Sequence, residues 1–268
     1  MSEIRLSGKT PEIENIEGTV LDTLLKSQQD YLWSNNGKRL NTWHVSDFVS
    51  ECLRKTHYTK TSPAKFDPGK AAVFFLGHIV HEHTPLSKIN ELTMCYNIET
   101  EMAMSTAEVA ARPFEELGNI ITGTLDDLMK VGNDFVIADK KTYNGGGWYK
   151  KTEPDYSYEL QINIYRVLLE ATYGIDAKYG CLLYLDKKDN LKPTPIAFEM
   201  KPIEETKSQM RDILKELQSG DATANPCWLC NGANKKKAIY CDYKDICMAE
   251  KPEAHPEQEP ELKVTKIK

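Results

Sequence analysis

No apolar run in this chain approaches the roughly 20 residues that a membrane-spanning helix requires. The opening residues, Met1-Ser2-Glu3-Ile4-Arg5, lack the apolar core of a signal peptide. Together these absences lead us to expect a cytoplasmic, intracellular protein without a membrane partner. Excess positive charge is also missing: 34 Lys and Arg stand against 40 Asp and Glu, a formal net charge of -6. That balance excludes a protein that coats nucleic acid over its whole surface. It leaves room for an enzyme with acidic metal ligands in one cleft and a local cationic track. Arg54-Lys55, Lys140-Lys141, Lys150-Lys151 and Lys235-Lys236-Lys237 are candidate pieces of that track, though each alone is better explained as solvated surface. The chain shows no internal repeat.

The 268 residues, 40% hydrophobic and 28% charged, suit one large globular domain with appendages. Residues 1–18 read as a flexible N-terminus, 19–220 as the main domain, 221–250 as a Cys-rich module packed on it, and 251–268 as a disordered tail rich in Pro, Glu and Lys. Helical spacing of apolar residues predicts a helix from Val20 to Trp33. A second is expected to be capped by Ser46 or Asp47, with Phe48, Val49, Cys52 and Leu53 on one side, and a third to run from about Lys70 through His83 with Val73, Phe74 and Val80 inward. Strand character follows over Met94–Met104. Ile120–Val131 and Asp134–Asp139 read as a hairpin turning at Val131-Gly132-Asn133-Asp134. Asn144-Gly145-Gly146-Gly147 reads as a flexible loop. A helix over Tyr156–Thr172, strands over Lys178–Leu185 and Thr194–Met200, and a helix from Ile203 to Leu217 complete the pattern. The order predicts an α/β (α+β) mixed sheet with helices packed on it rather than a run of βαβ units.

Three segments carry chemistry: Gly77-His78-Ile79-Val80-His81-Glu82, Gly123-Thr124-Leu125-Asp126 and Ile137-Ala138-Asp139-Lys140-Lys141. Phosphodiester hydrolysis needs an activated water and charge stabilisation at phosphorus, and a divalent cation held by carboxylates supplies both. Hard ions such as Mg²⁺ or Mn²⁺ prefer carboxylate oxygens. A short hairpin brings Asp126 and Asp139 together, and Lys141, two residues on, leaves the same face of the strand as Asp139. His81 offers a nitrogen ligand that favours Mn²⁺, with His78 and His83 as competitors. Gln161 and Tyr165 share one helical face, able to contact water, Lys141 or a nucleic-acid backbone. Each residue also has a plainer explanation: Asp126 or Asp127 as a turn partner, and Gln161 and Tyr165 as brackets of a core face.

In this order the segments resemble the PD-(D/E)XK nuclease superfamily, in its RecB-nuclease branch, and in particular the CRISPR-associated Fe–S exonuclease family. Ser46-Asp47-Phe48-Val49-Ser50-Glu51-Cys52-Leu53-Arg54-Lys55 and Tyr158-Glu159-Leu160-Gln161-Ile162-Asn163-Ile164-Tyr165 extend the likeness over about residues 43–247. The resemblance implies a restriction-endonuclease-like core. It implies His81, Asp126 and Asp139 as metal ligands, Lys141 as the catalytic lysine, and Gln161 with Tyr165 as the accessory motif. Asp139 stands where that family usually has Glu.

The resemblance also implies a [4Fe–4S] cluster held by an early cysteine, here Cys52, and three late ones. Cys241 and Cys247 fit the last two positions, but Ala238 occupies the expected third, so Cys230 or, alternatively, Cys227 supplies the remaining thiolate. Four thiolates equally suit Zn²⁺, and Cys227, Cys230, Cys241 and Cys247 would make a local zinc knuckle. Cys95 and Cys181, in apolar strands, read as packing residues. The expected function is a Mg²⁺- or Mn²⁺-dependent DNA exonuclease acting on single-stranded or free ends, with Trp148 and Tyr149 available to stack on a base. A subunit trimming spacers in CRISPR adaptation, with an integrase or helicase partner, and a non-catalytic zinc-containing nucleic-acid-binding scaffold are the alternatives.

Overall fold

The computed structural model describes residues 19, 22, 23, 26, 42–50, 52–61, 77, 79–81, 83–145, 151–219, 241 and 243–249. Its centre is a seven-stranded mixed sheet. The strands are β1 (Trp43–His44), β2 (Ile89–Asn97), β3 (Met102–Met104), β4 (Ile120–Val131), β5 (Asp134–Tyr143), β6 (Tyr179–Asp186) and β7 (Lys192–Glu199). The helices include α1 (Val45–Phe48), α2 (Leu53–Thr61), α3 (Thr106–Ala110), α4 (Tyr156–Tyr173), α5 (Ile203–Gln218) and α6 (Lys244–Ala249). Strand order is β3-β2-β4-β5-β6-β7, with β1 laid parallel along β4. β5 and β6 are also parallel, as the intervening α4 crossover requires, and the other pairs are antiparallel.

The mixed sheet with packed helices is the architecture the element order predicts. Leu160, Ile164, Leu168 and Leu169 of α4 are all buried, and the left-handed Gly174 (φ 66°) ends the helix. They pack with Tyr96, Ile121, Leu125, Ile137 and Leu182 of the sheet and with Met210 and Leu214 of α5. The β4–β5 hairpin turns where expected, at Gly132 with φ 62°. β5 runs on to Tyr143 because β6 pairs with it beyond Asp139.

Two expected elements are each split in two. Met94–Met104 is not one strand but the end of β2, a turn, and β3. Asn97 Oδ1 accepts the amides of Glu99 and Thr100, both at 3.0 Å, and Glu101 takes φ 59°, so the chain reverses there. The helix expected from Ser46 or Asp47 through Leu53 is broken into α1 and α2. His44, not Ser46 or Asp47, is the N-cap of α1, and the Asp47 carboxylate accepts the His44 amide at 2.9 Å. Between the two helices Ser50 Oγ donates to the Cys52 carbonyl at 3.0 Å and draws the backbone out of the helix. Val80 is buried and helical as expected. Val73, Phe74, most of Val20–Trp33, residues 1–18 and 251–268, and Cys227 and Cys230 lie outside the described residues. Among the described residues no helix is long and apolar enough to cross a membrane.

Candidate active site

The site is made where two strands part. β4 and β5 pair from Val131↔Asp134 down to Asp127↔Ala138. The next opposed positions are Asp126 and Asp139, and there the ladder opens. β4 continues with β1 on that edge (Trp43↔Ile121, His44↔Thr122), while β5 continues beside β6 as far as Tyr143↔Asp186. Opposed residues project to one face, so both carboxylates enter the opening, and Lys141 follows on the same face as Asp139.

Asp126 closes the end of the ladder with its side chain. Its Oδ2 accepts the Lys140 amide at 2.9 Å and lies 2.6 Å from His81 Nδ1. Burial opposes its ionisation, but the hydrogen bond and charge of His81, the Lys140 amide and the Lys141 charge outweigh that and hold the carboxyl below its ordinary range. Asp139 is 1% exposed. Lys141 Nζ lies 2.7 Å from its Oδ2, yet that oxygen receives no aligned hydrogen bond. The ammonium is thus at contact distance but off the bonding direction. Burial pushes Asp139 up to about 6, with Lys141 pulling it down and the Asp126 charge adding to the rise. Burial alone would lower Lys141; Asp139 foremost, then Asp126 and Tyr158, raise it above the usual value. The ammonium also stands 4.7 Å from the Tyr158 ring centroid.

The structure therefore brings together four of the residues singled out from sequence: His81 with Asp126, and Asp139 with Lys141. Among the described residues no three His, Cys, Asp or Glu side chains are gathered as a ready-made metal cage. The donors nevertheless fit a hard divalent cation. Two carboxylates and an imidazole flank one opening, and a buried carboxylate oxygen without an aligned donor is an open acceptor. His83 is exposed, and His78 lies outside the described residues.

Gln161 and Tyr165 are joined to one another, Nε2 donating to the Tyr165 hydroxyl at 3.1 Å. The Tyr165 ring lies over Gly123, where a Cβ would fall 2.8 Å from Tyr165 Cε1 and 2.5 Å from Val45 Cγ2. The glycine three before Asp126 is thus a close-packing requirement. The loop after β5 begins fixed rather than free: Gly145 is buried, and its amide donates to Asp186 Oδ1 at 3.0 Å. Residues 146–150, with Trp148 and Tyr149, lie outside the described residues.

In two candidate pieces of the cationic track one residue is buried, while Lys55 is exposed and Lys141 partly so. Arg54 is fully buried and donates Nε and Nη2 to the Tyr58 hydroxyl at 3.1 and 3.0 Å. Lys140 is equally buried, paired with Asp127 at 2.8 Å. Lys151 pairs with Asp155 at 2.5 Å, and Lys150 and Lys235–Lys237 lie outside the described residues. The sequence did carry a signal for Lys140, since Val136, Ala138 and Lys140 alternate onto one face of an apolar strand. Glu91 carries no such signal. It sits between the register pairs Asn90↔Asp127 and Leu92↔Leu125, hence opposite Asp126, with φ 50°. Burial first, then the Asp126 charge, raise its carboxyl. No residue pattern in the sequence marks that kink.

Late in the chain, Tyr58 of α2 stacks on Tyr243 at 5.7 Å between centroids. Cys247 is buried with them, and Cys241 packs alongside. Cys52 immediately precedes α2. Cys95 lies buried in β2, and Cys181 is half-buried in β6.

A sequence profile of the PD-(D/E)XK nuclease superfamily matches residues 8–248. No curated protein matches the sequence significantly. Among solved structures, that of SSO0001 superposes with a TM-score of 0.57 at 18% identity, covering 87% of this chain and 98% of that one, which is a likeness of fold. A proposed exonuclease from Eubacterium rectale aligns over 94% of this chain and 79% of its own at 14% identity, with a TM-score of 0.38.

Proposed function

This chain belongs to the PD-(D/E)XK nuclease superfamily, and we propose that it is a Mg²⁺- or Mn²⁺-dependent DNA exonuclease in which Asp126, Asp139 and His81 hold the cation. The observation that carries this reading is the opening of the β4–β5 ladder at Asp126 and Asp139, with a buried Asp139 oxygen lacking an aligned donor. A bound cation would lower the pKa of a coordinated water and draw negative charge from the phosphate. The chain's own residues do the rest. Lys141, kept charged by Asp139, faces the opening and neutralises charge building on the phosphate oxygens. The Lys140 amide and His81 keep Asp126 ionised and fix its direction. Tyr158 holds the Lys141 ammonium from the side. Gln161 and Tyr165 back this face, with Tyr165 packed against Gly123.

The preference for single-stranded or free ends, and the RecB-like branch, follow from the sequence resemblance. So does a structural [4Fe–4S] cluster, with Zn²⁺ as the competing metal, on Cys52, Cys241, Cys247 and either Cys230 or Cys227. The packing of α6 on α2 through Tyr58, Tyr243 and Cys247 supports a C-terminal module docked beside Cys52.

The test is cleavage of end-labelled linear and circular single-stranded DNA by protein purified without oxygen and assayed for iron, sulfide and zinc. Asp139→Ala and Lys141→Ala should abolish Mn²⁺-dependent cleavage of the linear strand while DNA binding persists. Parent-like cleavage by either variant removes the assignment, and equal cleavage of the circle removes the exonuclease.

A further inference from the structure

We propose that Lys140 and Asp127 are positioning residues of the metal site: this buried pair sets His81 against Asp126. The claim rests on the reading of His81, Asp126 and Asp139 as ligands of one cation.

Strand alternation sends Lys140 to the face away from Asp139 and Lys141. Its ammonium has three N–H groups and three acceptors in reach: Asp127 Oδ2 at 2.8 Å, the Thr84 carbonyl at 3.1 Å and the His81 carbonyl at 3.3 Å. Asp127 in turn accepts the amides of Leu86 and Ser87 on Oδ1, at 2.8 and 3.0 Å. The chain leaving His81 is thus gripped at four backbone groups by one ion pair. Carbonyls at the end of a helical segment lack intrahelical donors, and a cation there both satisfies them and suits the local dipole.

The same residue holds the other half of the site. The Lys140 amide donates to Asp126 Oδ2 at 2.9 Å, and His81 Nδ1 lies 2.6 Å from that oxygen. Lys140 therefore touches Asp126 through its backbone and His81 through its side chain. Anchoring the segment for stability alone would not call for charge, because an apolar residue commonly serves as well as a buried ion pair. What a fully satisfied pair adds is a fixed direction and distance, which is what a ligand set needs.

The experiment is calorimetric titration of Mn²⁺ into the full chain without DNA, with thermal melts alongside. The variants are His81→Ala, Lys140→Met, Asp127→Asn with Lys140→Met, and His81→Ala with Lys140→Met. Lys140→Met should weaken Mn²⁺ binding roughly 10–100-fold, the range seen when groups that orient metal ligands are lost. Removing both charges with Asp127→Asn and Lys140→Met should recover melting temperature but not Mn²⁺ affinity, a separation that a purely structural role does not produce. In the His81→Ala background Lys140→Met should weaken binding no further. If His81→Ala is weakened but the neutralised pair binds Mn²⁺ like the parent, only the positioning claim falls. The same holds if Lys140→Met acts equally with and without His81. If His81→Ala itself binds like the parent, the ligand reading falls and takes the positioning claim with it.

Discussion

Strand β5 carries two lysines, one on each face, each paired with an aspartate at nearly the same separation, Lys141 with Asp139 of β5 and Lys140 with Asp127 of β4. Lys141 Nζ lies 2.7 Å from Asp139 Oδ2, and Lys140 Nζ lies 2.8 Å from Asp127 Oδ2. Both aspartates are buried. The surroundings differ. On the Asp127 face both carboxylate oxygens are bonded, and the ammonium reaches three acceptors. On the Asp139 face Oδ2 receives no aligned hydrogen bond, a second carboxylate stands opposite, and the ammonium leans on a tyrosine ring. A buried polar network with every member satisfied rigidifies the fold, whereas one left open keeps an acceptor for something else. Saturation, rather than distance or burial, separates the architectural pair from the chemical one.

The largest contrast is expected in stability. Asp127→Ala strands the Lys140 ammonium inside the protein without its counter-ion, which should cost roughly 3–5 kcal/mol. Asp139→Ala removes a carboxylate whose own solvation is poor and leaves Lys141 partly open to water, so its cost should be under about 1 kcal/mol. Urea melts of the metal-free proteins measure both. Equal losses would break the distinction between the faces, and a larger loss at Asp139 would reverse it.

What was legible in the sequence follows from short-range pattern. The hairpin turn at Gly132 fixes a register that opposes Asp126 and Asp139, and strand alternation places Lys141 beside Asp139. The apolar spacing of α4 similarly identifies the helix that covers β4. Some failures come from partners distant in the chain, and others from a single local side-chain hydrogen bond. Lys140 reads as surface charge because His81, whose carbonyl it bonds, is 59 residues away. Arg54 reads as part of a basic track because its partner Tyr58, one helical turn on, is buried by stacking on Tyr243 far along the chain. The break after α1 depends on one hydroxyl, Ser50, competing for backbone groups, and apolar periodicity is blind to that.

A smaller effect should follow pH. Asp139 rises from an ordinary 3.8 to about 6 on folding, through burial first. Between those values the folded chain holds a proton there that the unfolded chain has released. The stability this group contributes is therefore full below about 3.8 and is lost as pH rises through about 6. Asp139→Asn cannot ionise and escapes the loss. In metal-free protein the variant should gain on its parent between pH 4 and 7, by on the order of 2 kcal/mol. Urea midpoints at several pH values give the difference, and one that stays flat would mean that this carboxylate is not held against its preference, erasing half of the contrast.

The finest expected effect concerns what steadies Lys141 where its twin Lys140 has three acceptors. Its ammonium is 4.7 Å from the Tyr158 ring centroid, and that ring is tilted against Tyr184 at 6.5 Å, which meets Tyr143 edge-on at 5.9 Å. An ammonium over a partly exposed ring gains about 0.5–1 kcal/mol. Tyr158→Leu should therefore slow cleavage about two- to fivefold at saturating DNA and metal. Tyr158→Phe, which keeps the ring and loses only the hydroxyl, should stay near the parental rate. Because the contact acts on the lysine and not on the cation, the concentration of Mn²⁺ giving half-maximal rate should be the same in all three proteins. A Phe variant as slow as the Leu variant would assign the effect to the hydroxyl. A shifted Mn²⁺ dependence would place the ring in the ligand framework, on the same footing as the Lys140–Asp127 pair behind it.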